Sequence, residues 1–563
     1  MEDGSDAART APLTIAAHVM DRAADYRPGL LFEGDTWTWA EVVAEATGRA
    51  AALQKLRSDG PFHVGVLLEN LPEYVFVLFG AALAGATVVG INSTRRGAAL
   101  AHDIRHTDCQ LVLTDTTQSP LLTDLDLGAA RVLTVDGPEY GELLAASRPS
   151  SFSVDEVPGP DALYLMLFTA GSTGAPKAVR MTQGRAARTA ADSARAFGTD
   201  DVLYCSMPLF HGNALVANLF PALIAGASVV LRRRFSATAF LPDIRQHGCT
   251  FFNYVGRALS YVLAVPESAD DGDNRLRWAL GSEASPQNIA DFTRRFHCPV
   301  FEGYGSSEGA VVIAPVPGTP PSALGRPKKG IDVAIVHPDT GLECATARLD
   351  GDGRLLNPAE AIGEIVGRNV RDRFEGYYHN AEADAVRTRN GWYWSGDLGY
   401  RDADGFFYFA GRTAEWMRVD GENFSAGSVE RILNRYRVTS GVAVYGVPDP
   451  LTGDQVMAAM EMGVPEAFDP DDFAEFLSRQ PDLSAKWSPR FVRVLATLPV
   501  TGAGKVDKAP LRSDAWDVAD PVWWRPLASE RPFRRLTPSD VVGLTASFAA
   551  GGRDQLTPGG RGV

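Results

Sequence analysis

Leu163-Tyr164-Leu165-Met166-Leu167-Phe168-Thr169-Ala170-Gly171-Ser172-Thr173-Gly174-Ala175-Pro176-Lys177 joins an unbroken apolar run to a loop of glycines, hydroxyls and one lysine. The apolar run reads as a strand buried on both faces. The loop has a different composition. Its small residues let the backbone approach a ligand closely, and backbone N–H groups with hydroxyls can wrap phosphate oxygens. Lys177 adds a compact positive charge. This is not a Walker A loop, because Pro176 precedes the lysine and Ala178 follows it, where that pattern needs Gly and then Ser or Thr. By itself the loop is either a flexible surface turn or a phosphate cradle. The strand leading into it favours the cradle.

On both sides of the loop, helix and strand alternate. Residues 40–56 and 71–84 have helical spacing, and 62–68 and 86–91 are strand-like, with short strands at 111–114 and 131–135. After the loop, 184–197 reads as helix, 202–206 as strand, 215–224 as helix and 228–231 as strand. This rhythm predicts an α/β fold with doubly wound, mostly parallel sheets. From about residue 330, short strands at 331–336, 363–367 and 406–409 lie between Asp/Gly turns, which predicts a β-rich subdomain. A boundary falls near 411–415. Beyond it, helices at 428–436 and 471–479 and strands at 442–445 and 491–495 make a small α+β domain. The expected division is a large N-terminal domain over 1–414, a small mobile domain over 415–515, and an extension over 516–563 with a disordered end.

With 563 residues the chain is too long for one ordinary domain. Its formal net charge of -15 argues against non-specific nucleic-acid binding and broad adhesion to anionic membranes. Peripheral membrane contact stays open, as does the choice between monomer and homodimer. Cys109, Cys205, Cys249, Cys298 and Cys344 are far apart and odd in number, which reads as reduced thiols in a cytoplasmic protein. The acidic N-terminus lacks a secretory pattern. Two uncharged stretches, 74–92 and 203–231, are long enough to span a bilayer, but glycines, prolines, His211, Asn213 and Asn218 interrupt them. They are expected to be buried helix–strand units, so no transmembrane segment is expected.

Further segments sharpen the reading. They are Phe301-Glu302-Gly303-Tyr304-Gly305-Ser306-Ser307-Glu308-Gly309, Gly391-Trp392-Tyr393-Trp394-Ser395-Gly396-Asp397, Gly411-Arg412 with Gly421-Glu422-Asn423, and Leu498-Pro499-Val500-Thr501-Gly502-Ala503-Gly504-Lys505-Val506-Asp507-Lys508. With the 169–177 loop, in this order, they resemble the signatures of the adenylate-forming superfamily of acyl-CoA synthetases, luciferases and peptide-synthetase adenylation domains. The resemblance covers roughly 30–515. Segments 90–100, 253–257 and 275–281 are most similar to the fatty-acid transport protein and very-long-chain acyl-CoA synthetase branch.

That resemblance implies a ligase that uses ATP and Mg²⁺ to turn a medium- to very-long-chain fatty acid into an acyl-adenylate plus pyrophosphate, then passes the acyl group to coenzyme A. It implies that Thr169, Ala170, Gly171, Ser172, Thr173, Gly174 and Lys177 hold the phosphates, and that Thr169 and Glu308 associate with the metal. A carboxylate suits Mg²⁺, which prefers oxygen ligands. Gly303, Tyr304, Gly305, Ser306, Ser307 and Glu308 would carry the nucleotide, with Tyr304 stacked on adenine. Gly281, Ser282 and Glu283 would line the adenine and acyl side. Asp397 would accept both ribose hydroxyls, and Arg412 would contact ribose or phosphate. Lys505 would be the adenylation lysine, and His211 would stand near the acyl carboxylate as a gate or polar contact.

The chain departs from the family at Ala178, Ser307, Glu415 (the usual pivot aspartate) and Asp420, where many relatives have lysine near the thioester-forming face. Two other readings therefore stay beside the first. One keeps adenylation without coenzyme A, activating a specialised acid or nitrite for an arylamine. The other is a lipid-binding or transport protein with a relic nucleotide site.

Overall fold

In the computed structural model, the described residues are 13–147, 158–169, 177–256, 258–282, 284, 286–320, 323–338, 340–351, 353–370, 373–412, 416–419, 422–436, 438–450, 454–484, 486–501, 504–525, 533–550, 553, 556 and 557. Two sheets organise the first part. One has six strands in the order Arg131–Thr134, Leu111–Thr114, His63–Leu67, Thr87–Gly90, Leu163–Thr169 and Lys177–Thr182, parallel except for the last pair. The strand predicted before the loop is therefore an interior strand, fifth of six, and the strand that follows the loop pairs with it antiparallel at the end of the sheet. The other sheet has seven strands in the order Val300–Glu302, Trp278–Gly281, Phe251–Asn253, Val202–Cys205, Ser228–Leu231, Pro28–Phe32 and Asp35–Thr38. Only its last pair is antiparallel.

The helices follow from local chemistry. Helix Trp39–Leu56 opens with a capping box, in which Glu41 N–H donates to Thr38 Oγ1 and Thr38 N–H donates to the Glu41 carboxylate. Helix Pro72–Ala84 has Pro at its first position, and from Tyr74 to Ala84 every residue is buried. This explains the uncharged stretch at 74–92. Each buried Val, Leu or Phe there contributes about 1.5–3 kcal/mol, which offsets the roughly 1–2 kcal/mol cost of ordering a residue. Among the described residues, no helix is long and apolar enough to cross a membrane. All five cysteines are unpaired, and burial pushes the thiols of Cys109, Cys205, Cys249 and Cys298 up to about 12.

The predicted helix at 215–224 is interrupted. Leu215–Leu219 is a π-helical turn, and an α-helix follows at Phe220–Ala225. A single apolar period in the sequence does not reveal that change of pitch.

The β-rich part is an antiparallel sheet of Val333–Val336, Gly363–Gly367, Trp392–Arg401 and Thr388–Arg389, with Phe407–Arg412 paired to Trp392–Arg401. The last part is a five-stranded sheet of Gly441–Pro448, Asp454–Glu461, Phe491–Leu495, Val522–Trp524 and Arg534–Arg535. Helices Ala426–Leu433 and Lys508–Asp514 pack on it. Residues 522–524 and 534–535, from the sequence extension, thus add strands to this sheet.

Trp39 ties the helix Trp39–Leu56 to the seven-stranded sheet. It is 1% exposed, its indole N–H donates to the Ala227 carbonyl at 3.1 Å, and its ring lies against Gly29. Trp39→Ala is expected to cost the large domain about 3–5 kcal/mol. Chemical denaturation followed by circular dichroism checks this, and a loss below about 1 kcal/mol would contradict the packing described.

Candidate functional site

Parallel strands deliver their following loops to one edge of a sheet, where α/β proteins place ligands. Here Thr169 ends Leu163–Thr169 of the six-stranded sheet, while the seven-stranded sheet carries His211 after Val202–Cys205, Gly256 after Phe251–Asn253, Ser282 after Trp278–Gly281, and the run Gly303 to Glu308 after Val300–Glu302. Ala170, Gly171, Ser172, Thr173, Gly174 and Glu283, with Glu415 and Asp420, lie outside the described residues.

Thr169 and Lys177 face each other across the antiparallel pair that the loop closes. Lys177 is 7% exposed. Its Nζ sits 5.4 Å from the centre of the Tyr377 ring, a cation–π contact. Burial holds its pKa below the usual lysine value, and the Arg387 charge adds to that, while Glu308 works in the opposite direction. Among the described residues, no carboxylate forms an ion pair with Lys177.

Glu308 is 5% exposed, and the Tyr377 hydroxyl donates to its Oε1 at 2.8 Å. The buried Arg185 guanidinium donates to the Ser307 carbonyl and so fixes the backbone that carries Glu308. This pole therefore gathers Lys177, Arg185, Arg387 and Glu308 around one tyrosine, a cationic surround able to take a polyanion. The hard oxygens of Glu308 and Thr169 suit a magnesium ion.

Next to this pole, the Tyr304 hydroxyl donates to Asp397 Oδ2 at 2.7 Å, and Asp397 N–H donates to Ser395 Oγ at 3.1 Å. The strand register sets Arg412 opposite Asp397, so two residues from separate motifs become neighbours through backbone pairing. Gly303 N–H donates to the Gly281 carbonyl and Gly256 N–H to the Ser282 carbonyl, which laces three of these loops together. Tyr254 underlies the lacing, with its hydroxyl donating to Glu302 Oε1 at 2.8 Å.

The segment before helix Lys508–Asp514 enters here. A tight loop, with Gly504 N–H donating to the Thr501 carbonyl and Thr501 N–H to the Lys505 carbonyl, presents Lys505. Gly256 has φ +66°, and a Cβ there would stand 2.3 Å from the Gly504 carbonyl oxygen, so only glycine allows this approach. His211 lies close enough to feel the Lys505 charge. Burial lowers its pKa to about 4, with the Lys505 charge as the second cause. It is therefore neutral near pH 7.

Lys177, Glu308, Tyr304, Asp397, His211 and Lys505, scattered over the sequence, thus come together at one edge. Sequence reasoning missed Tyr377, Arg387 and Arg185. The signal for Tyr377 was slight: an aromatic pair after Gly376, with nothing nearby in sequence that speaks of phosphate.

The chain belongs to the AMP-binding enzyme family, whose profile matches residues 15–378. It is 53% identical over 549 residues to steroid-22-oyl-CoA synthetase of Rhodococcus jostii (strain RHA1), covering 96% of this chain and 98% of that one. It is 44% identical over 498 residues to the medium/long-chain-fatty-acid–CoA ligase FadD17 of Mycobacterium marinum (strain ATCC BAA-535 / M), covering 88% and 95%. The solved structure of anthranilate CoA ligase AuaEII in complex with anthranoyl-AMP shares the fold, with TM-score 0.77 at 20% identity over 89% of this chain and 97% of that one. The resemblance read from the motifs therefore holds.

His211 supplies a test of the docked arrangement. Its folded pKa of about 4 lies below the ordinary 6.5, so the unfolded chain takes up the proton first as pH falls. Stability is thus lost between about 6.5 and 4 and is unaffected above that window. Histidine NMR titration, with His211→Gln to identify the signal, should give a midpoint near 4. A midpoint at the ordinary value would contradict both the burial and the nearby Lys505.

Proposed function

We propose that the protein is an ATP-dependent, AMP-forming ligase that joins a large apolar carboxylic acid, of the fatty or steroid-side-chain type, to coenzyme A. The near full-length identity with a steroid-22-oyl-CoA synthetase and a medium/long-chain-fatty-acid ligase supports the acid class and the acceptor. The observation that carries adenylation is the buried Lys177 ammonium, with an aromatic face beneath it in place of a carboxylate, beside Glu308.

In this reading a carboxylate oxygen of the acid attacks the α-phosphorus of ATP, and pyrophosphate leaves. The coenzyme A thiol then attacks the acyl carbon, and AMP leaves with that carboxylate oxygen. The first step brings anions together, so fixed positive charge lowers its barrier. Lys177 and the 169–177 loop hold the β- and γ-phosphates and the departing pyrophosphate. Glu308 and Thr169 would hold a magnesium ion, which would neutralise phosphate charge. Asp397 accepts the ribose hydroxyls, Tyr304 lies against adenine, and Arg412 is near ribose or phosphate. Lys505 bridges the attacking carboxylate and the α-phosphate. His211, neutral near pH 7, gives the acid a wall that adds no charge.

The chain is read as a large domain over 1–414 and a mobile small domain over 415–515, with 516–563 following. The Lys505 loop docked at Gly256 fits the adenylating arrangement. Thioester formation calls for the small domain to swing away about residues 413–421, a step of the kind that often limits turnover. The five unpaired thiols suit a reducing, cytoplasmic setting.

A panel of fatty acids, steroid-side-chain acids and nitrite with an arylamine, scored for AMP release with and without coenzyme A, tests the reading. Release that requires both an apolar acid and coenzyme A is the expected result. Release that ignores coenzyme A but needs nitrite and the amine would overturn it. Lys505→Ala should lower acid-dependent pyrophosphate exchange by roughly 10²–10³, while thioester formation from pre-made adenylate largely survives. Full exchange in that variant would remove Lys505 from the role.

A further inference from the structure

Arg387 closes the helix Ala381–Arg387, and no motif in the sequence points to it. Its Nε donates to the Tyr377 hydroxyl at 3.4 Å and its Nη1 to the Trp394 carbonyl at 3.2 Å. It is half-buried, and among the described residues no carboxylate forms an ion pair with it. Tyr377 joins it to the phosphate pole from two directions. The ring lies under Lys177, while the hydroxyl meets Arg387 on one side and Glu308 on the other.

Gly396 fixes where the guanidinium sits. A Cβ on Gly396 would stand 2.3 Å from Arg387 Nη1, and the residue has φ +74°. The positive φ favours glycine immediately before Asp397, and the guanidinium packs against it, within reach of both the Tyr377 hydroxyl and the Trp394 carbonyl. Two half-buried or buried cations share one neutral tyrosine, Glu308 is the carboxylate bonded to its hydroxyl, and Asp384 and Glu382 act on Lys177 more weakly, an arrangement that leaves room for a bound anion. A guanidinium presents planar, forked donors that match phosphate oxygens.

We propose that Arg387 is a further catalytic residue of the adenylation step, donating to the β- and γ-phosphates of ATP and to the departing pyrophosphate, with Tyr377 aiming it. This rests on the ATP-dependent reading of the site. AMP lacks those phosphates, so the contact separates ATP from AMP.

Isothermal titration calorimetry on the full chain, with MgATP, magnesium pyrophosphate and AMP as separate probes, tests this in wild type and in Arg387→Gln. Arg387→Met replaces Gln if that variant does not fold, as judged by its thermal unfolding transition. About tenfold or greater weakening of MgATP and pyrophosphate is expected, with AMP affinity held within roughly twofold, and Arg387→Lys recovering part of the loss. Equal weakening of ATP and AMP would mean that Arg387 only props the strand Trp392–Arg401, and would overturn the proposal. Unchanged affinity for all three would overturn it too. A wild-type chain that does not bind MgATP would instead bring down the ATP-dependent reading on which it stands.

Discussion

The Lys177 ammonium rests on the face of Tyr377, 7% exposed, with a tyrosine where a buried lysine would ordinarily meet a carboxylate. A buried charge costs several kcal/mol unless it is compensated, and a cation–π contact returns only about 1–2 of that. The remainder is available to an anion that enters the site. The same holds for Glu308, buried at 5% with a neutral hydroxyl as its hydrogen-bond donor. The ammonium meets the ring of Tyr377 and the carboxylate its hydroxyl, so the two charges act on each other without forming an ion pair. The site is thus kept polarised, as the proposed binding of ATP requires.

Everything else serves to hold that polarity in place. Two parallel sheets bring their loops to a common edge, and backbone hydrogen bonds between Gly281, Ser282, Gly303 and Gly256 lock those loops together. Arg185 secures the Ser307 carbonyl from below. Lys505 comes in beside Gly256, whose missing side chain leaves room for the Gly504 carbonyl, so this contact is limited by shape. A proposed second half-reaction that moves Lys505 out of the site is compatible with such a contact. A large apolar interface would resist it.

The fold was legible where local pattern and tertiary role agree. The apolar run at 163–168 became an interior strand, and the alternation at 62–91 and 202–231 became parallel sheet and packed helix. Lys177, Glu308, Asp397 and Lys505 were legible because glycines and hydroxyls around them recur as family motifs. Tyr377, Arg387 and Arg185 were not, because their roles arise only from contacts across long sequence distance: Tyr377 reaches back to Glu308, and Arg185 forward to Ser307. The π-turn at Leu215–Leu219 was hidden for a different reason, since apolar spacing does not distinguish it from an α-helix over five residues.

The central claim is that the acid's own oxygen attacks the α-phosphorus and leaves as part of AMP. An acid substrate labelled with oxygen-18 in its carboxylate, incubated with the protein, MgATP and coenzyme A, tests this by mass spectrometry of the nucleotide. The account predicts AMP carrying one labelled oxygen, in amounts equal to the thioester formed. Unlabelled AMP, or label in inorganic phosphate with ADP as the nucleotide product, would contradict it.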